Sequence, residues 1–130
     1  MSHEILQPPG WPRPGGYANG VAAAGRQVFV SGQIGWNDKQ QFAGDELAAQ
    51  VRQALANVVD VLACANAKPE HLVRLTWYVT SRDEYYASIK DIGAAYREVI
   101  GRHFPAMSVV VVAGLLEPRA KVEIEATAVV

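Results

Sequence analysis

Two carboxylates near the C-terminal end of the chain are the first candidates for chemistry. Glu123 and Glu125 stand two apart in Val122-Glu123-Ile124-Glu125-Ala126. On a strand that spacing sends both side chains to one face. The plain reading is a solvated face. The functional one places Glu123 in a cleft, where a carboxylate partly removed from water serves as general acid or base and burial lifts its pKa toward neutrality. Other reactive types are sparse. His3, His71 and His103 are far apart in sequence and share no helical face, which argues against a metal site built on histidine. Cys64 is the only cysteine, so no intrachain disulfide forms, and near an apolar helical stripe it reads as a small buried hydrophobe. No Gly-x-Gly-x-x-Gly, Walker loop or Gly-x-Ser-x-Gly elbow is present.

The elements that must position these groups follow from periodicity. Pro8 to Gly20 is rich in proline and glycine and reads as a loop. Gln27 to Ser31 reads as a short strand, broken at Gly32, and Ile34-Gly35-Trp36 runs into an Asn37-Asp38 turn. From Asp45, Leu47, Val51, Ala54, Leu55, Val58 and Leu62 recur at helical spacing, with Gln50, Arg52, Gln53, Asn57 and Asp60 on the opposite face. Asn66 and Pro69 stop that helix. Val73, Leu75, Trp77 and Val79 alternate with polar residues as a half-buried strand. Ser81 to Glu84 fits a capping box that opens a second amphipathic helix through Tyr85, Ile89, Ile92, Tyr96 and Val99, ending near Gly101. Val109 to Val112 is a continuous β-branched run that suits a strand covered on both faces, and the alternation from Val122 to Ala128 makes the last strand. This order predicts an α+β fold with both helices on one face of a sheet.

Composition limits the functional classes. The 130 residues match a single domain, 1–130, and half of them are hydrophobic at a net charge of -1, which excludes disorder. With 12 basic and 13 acidic side chains there is no general field to draw in nucleic acid or an anionic membrane. No apolar run is long enough to span a bilayer, and Met1 to Gly16 lacks the apolar core of a secretory signal. The expectation is a soluble protein of the cytoplasm.

Four stretches, taken together, resemble one family. Gly16-Tyr17 to Gly20, Val30-Ser31-Gly32-Gln33-Ile34, Phe104-Pro105-Ala106 and Val122-Glu123-Ile124-Glu125-Ala126 occur in the order and spacing of the YjgF/Rid family, the reactive intermediate deaminases. The resemblance spans nearly the whole chain. It implies a chorismate-mutase-like sheet of about six strands with two helices on one face. It also implies a homotrimer with clefts between subunits and hydrolysis of reactive enamines and imines such as 2-aminoacrylate, with no cofactor and no metal. By the same resemblance Tyr17 closes the cleft, Ser31 and the Gly32 backbone line it, and Glu123 orients the attacking water.

Two positions depart from the deaminase branch. Where that branch carries an arginine that clamps the substrate carboxylate, this chain has Met107, which cannot hold a carboxylate. The family's helical asparagine falls at Lys90. Lys90, Arg13 or Arg74 could hold an acid group placed elsewhere on a different substrate. Met107 with Trp36 or Trp77 would suit a larger, flatter ligand, or simply fill the core. Three functions follow from the resemblance: a deaminase of altered specificity, such as for an aminomuconate-like intermediate; a non-catalytic small-molecule-binding trimer; and an endoribonuclease or translation inhibitor. The last lacks a basic stripe and a histidine pair.

Overall fold

The computed structural model describes residues 3–130. Met1 and Ser2, which open the segment judged unlike a secretory signal, lie outside the described residues. The chain runs β1 (Glu4–Leu6), β2 (Gly20–Ala22), β3 (Gln27–Ile34), α1 (Leu47–Ala63), a 3-10 turn (Pro69–His71), β4 (Leu72–Val79), α2 (Arg82–Ala87), α3 (Ile89–Val99), β5 (Ala106–Val111) and β6 (Val122–Val129). The six strands form two sheets. β1 and β2 pair as a short antiparallel ribbon, and the main sheet has the order β3-β6-β4-β5. Within it β4 and β5 run parallel, and the other neighbours antiparallel.

The alternation along β4 and β6 decides which face meets the helices. Leu75, Trp77 and Val79 on β4 and Val122, Ile124 and Ala128 on β6 are buried against the apolar stripe of α1. At about 25 cal/mol per Å² of apolar surface, this layer is the main source of stability. The alternate residues, Arg74, Thr76 and Tyr78 with Glu123, Glu125 and Thr127, lie on the opposite face, which no helix covers. Both helical segments pack on one side of the sheet, as the order of elements predicts.

Several expectations need correcting. The second amphipathic stretch is two helices, because the chain bends at Ser88, which caps α2 and begins α3. Half of the capping box is present: Ser81 Oγ accepts from the Glu84 N–H at 3.1 Å, but the Glu84 carboxylate accepts instead from Lys121 Nζ at 2.7 Å. Val109 to Val111 is not covered on both faces. It belongs to the edge strand β5, where these valines are 39%, 42% and 49% exposed. Cys64 caps the end of α1 and is exposed, two positions beyond Leu62, the last residue of the buried stripe.

Gln50, assigned to the solvent side of α1, is fully buried. Its Nε2 donates to Gly44 O (3.0 Å) and Arg119 O (3.1 Å), and its Oε1 accepts from the Lys121 N–H (2.8 Å). Asn57 is half-buried and donates to Ile34 O (3.1 Å) and Trp36 O (2.8 Å), tying α1 to the end of β3. Helix and strand approach closely there: a Cβ on Gly35 would lie 2.5 Å from Gln50 Cβ. Asn66 takes the left-handed φ of 55° expected of a helix stop.

Candidate active site

The register of β3 against β6 shifts between Val30 and Gln33. Val30 faces Ala126 and Gln33 faces Ile124, so Ser31 and Gly32 together oppose Glu125. Such a bulge bends the strand and frees backbone groups from the ladder. The glycine is required by what lies above it: a Cβ on Gly32 would fall on the carboxylate of Glu123. Sequence-distant residues are therefore brought into contact, the Ser31-Gly32 backbone and the Glu123 side chain. Gln33 Nε2 donates to Ser31 O at 3.1 Å, bracing the bulge.

Glu123 and Glu125 share the helix-free face, as their spacing requires, but their surroundings differ. The Tyr78 hydroxyl donates to Glu125 Oε1 at 2.6 Å. That bond, to a charged acceptor, is the main reason the Tyr78 phenol is raised above its ordinary value, with desolvation next. Glu125 is thus fixed by a phenol rather than by a cation, while Glu123 is half-buried against the glycine of the bulge. Ser31, Thr76, Arg74 and Glu125 line a shallow pocket of about 440 Å³ on this face. Tyr78 was not singled out from sequence, although its alternation with Trp77 already puts it on this face.

Tyr17 and Met107 lie elsewhere in the chain. The positive φ of Gly16 turns the backbone, and the Ala18 N–H donates to Pro105 O at 3.0 Å, which seats Tyr17 beside Phe104. Tyr17, Arg13, Asn19, Arg102 and Phe104 line a groove of about 400 Å³. On the other side of Phe104 is a second groove of about 400 Å³, walled by Trp77, Tyr96, Ile92 and Met107. Tyr96 stacks between Trp77 (6.4 Å) and Phe104 (5.5 Å), and burial pushes its phenol well up. The phenols of Tyr96 and Tyr85, which also lines this groove, are both raised by desolvation. Lys90 is exposed on α3 and lines neither groove, and Trp36 packs on Phe42 at 5.7 Å. Of the three cations considered for a displaced acid group, Arg13 shares a groove with Tyr17, and Arg74 a pocket with Ser31.

The histidines are all engaged with backbone. His71 Nδ1 accepts from the Lys68 N–H, His103 Nε2 lies 2.8 Å from Leu72 O, and His3 Nε2 lies 3.0 Å from Val129 O. Among the described residues, His, Cys, Asp and Glu form no group of three placed to hold a metal, and no helix is long and apolar enough to cross a membrane.

A helix-backed sheet with a carboxylate over a bulged Ser-Gly pair defines the class, and comparison with known proteins agrees. A family model described as Endoribonuclease L-PSP matches residues 12–130. The 2-iminobutanoate/2-iminopropanoate deaminase of Escherichia coli (strain K12) is 36% identical over 118 residues, 88% of each chain. The protein of the same name from Dermatophagoides farinae is 30% identical over 127 residues, 97% of this chain and 95% of its own. Among solved structures, a protein of the conserved Rid family from Yersinia pestis superposes with a TM-score of 0.86 at 32% identity, covering 100% of both chains. The YjgF gene product of E. coli gives 0.69 at 34% identity over 87% of each. The chain belongs to the YjgF/Rid family.

Proposed function

We propose that the protein is a hydrolytic deaminase of reactive imines and enamines, with a substrate other than the small 2-imino acids named for its relatives. The observation that carries this reading is the Glu123 carboxylate held over the Ser31-Gly32 bulge. Hydrolysis of an imine adds water across the C=N bond and releases ammonia, leaving a carbonyl compound. Glu123 takes a proton from the attacking water as its oxygen bonds to the imine carbon. The carboxylic acid returns that proton to nitrogen, giving a carbinolamine. The carboxylate then takes the carbinolamine hydroxyl proton and passes it to nitrogen, so that the C=O bond forms as the C–N bond breaks and nitrogen leaves as ammonia. The freed backbone of the bulge and the Ser31 hydroxyl orient water and substrate. No step calls for a cofactor or a metal.

The resemblance implies a homotrimer, and a neighbouring copy would bring its Tyr17 groove to the Glu123 face. In that arrangement Tyr17 closes the cleft, and Met107 stands where an arginine would clamp the carboxylate. Lys90, exposed on α3 outside both grooves, is the weakest of the substrate-binding assignments. Assembly and a cytoplasmic location are parts of this proposal.

A non-catalytic binding trimer is the second reading, and Met107 in place of the clamping arginine favours it. Nuclease chemistry has less support, because a ring nitrogen of each histidine is engaged with a backbone group. Glu123→Gln keeps shape while removing the charge, so turnover of an accepted imine should fall by about 10²–10⁴-fold. Glu125→Gln keeps an acceptor for Tyr78 and should leave turnover within about threefold, since it touches the reacting atoms at no step. Ammonia release measured on both variants decides: equal losses, or none at Glu123, would remove the deaminase reading.

A further inference from the structure

The two grooves on either side of Phe104 are unlike in chemistry and share a wall. Arg13 and Arg102 line the first, and neither guanidinium has an acidic partner among the described residues. Its remaining polar lining includes Asn19 and Tyr17. The segment carrying Arg13 is held in place, since Gln7 Nε2 donates to Trp11 O (3.1 Å) and Pro12 O (3.2 Å) and Gln7 Oε1 accepts from Asn19 Nδ2 (2.8 Å). The second groove is apolar and aromatic, and its one charged lining residue is Arg97. No aspartate or glutamate lines either one. Trp77, 2% exposed, has its indole nitrogen buried with no hydrogen-bond partner, and this side chain walls the second groove.

We propose that the two grooves form one binding site for an elongated carboxylate with an aromatic or long apolar body. The acid group lies between Arg13 and Arg102, where paired guanidiniums bind carboxylate with charge-assisted hydrogen bonds. The body passes over Phe104 and packs on Tyr96, Trp77 and Met107. A methionine at position 107 fits this ligand, because the flexible thioether packs against an aromatic ring and leaves the anion to the arginines. The two volumes together suit a molecule larger than a three- or four-carbon imino acid. This names the substrate class for the deaminase reading and rests on it for turnover. Binding itself can be read without any reaction.

The test is calorimetric titration of the full chain with 4-phenylbutanoate, with acetate and benzyl alcohol as the acid and the body alone. 4-Phenylbutanoate should bind at least about tenfold more tightly than either fragment. The double variant Arg13→Gln/Arg102→Gln should lose about tenfold or more, and Arg97→Gln less than about threefold. Gly93→Leu blocks the apolar groove from α3, where a Cβ meets only Arg97 Nη1 at 3.4 Å, and leucine is a better helix former than glycine. It should weaken 4-phenylbutanoate by about tenfold and leave acetate unchanged. Acetate binding as tightly as 4-phenylbutanoate, or a loss carried by Arg97 alone, would overturn the proposal. If 4-phenylbutanoate binds as expected but no imine is hydrolysed, the site stands and the deaminase reading falls.

Discussion

Two carboxylates two residues apart end in different chemical situations. Glu125 accepts from the Tyr78 phenol, and Glu123 leans on a glycine that has no side chain to displace it. Met107 is the other decisive side chain, because a thioether offers no donor to a carboxylate. Wild-type hydrolysis of 2-iminopropanoate should therefore be slower by about 100-fold or more than in a chain with a bidentate clamp. Met107→Arg should raise that rate by at least about tenfold, measured as ammonia release at low substrate concentration. Fast wild-type turnover of 2-iminopropanoate would show that position 107 does not set specificity.

The bulge in β3 and the loop that precedes β6 hold the Glu123 region in register. Gln50 does much of this from inside α1, because its three hydrogen bonds go to backbone groups of Gly44, Arg119 and Lys121. Replacing it with a side chain of similar size but no polar atoms removes the partner of all three half-buried bonds. Gln50→Leu should lower stability by about 2–4 kcal/mol, read as a shift in the urea midpoint at constant slope. A neutral result would mean that the loop finds other partners. The ion pair between Lys121 and Glu84 supports the same region, but both side chains are about one-third exposed, 33% and 32%, and such pairs contribute little.

Seen whole, the main sheet leaves both of its edges, β3 and β5, and apolar side chains in the open. Phe29 is 71% exposed on β3, and the valines of β5 are among the exposed large hydrophobics. Unpaired edges and exposed aromatics favour association. Within the main sheet the exposed large hydrophobics are Phe29 and these valines, and others, such as Trp11, Tyr86 and Leu116, lie outside it. Light scattering should report about three times the 14.1 kDa chain mass. A monodisperse monomer at micromolar concentration would rule out a cleft shared between copies.

The helix stripes, the alternation of β4 and β6 and the shared face of Glu123 and Glu125 were all legible in the sequence, because they depend on periods of 3.6 and 2 within one element. The half of the capping box made by Ser81 was legible for the same reason, since it spans three residues. What the sequence could not supply was any fact that depends on which elements become neighbours. Gln50 has the side chain of a solvent-facing residue but stands three after Leu47 and four before Ala54, at the edge of the buried stripe, where the loop before β6 supplies its partners. The run at Val109 has the composition of a central strand and is an edge because β6 takes the other side of β4. The bulge that sets Glu123 over Gly32 arises from a register between strands about ninety residues apart, and long-range register is decided by packing rather than by local pattern.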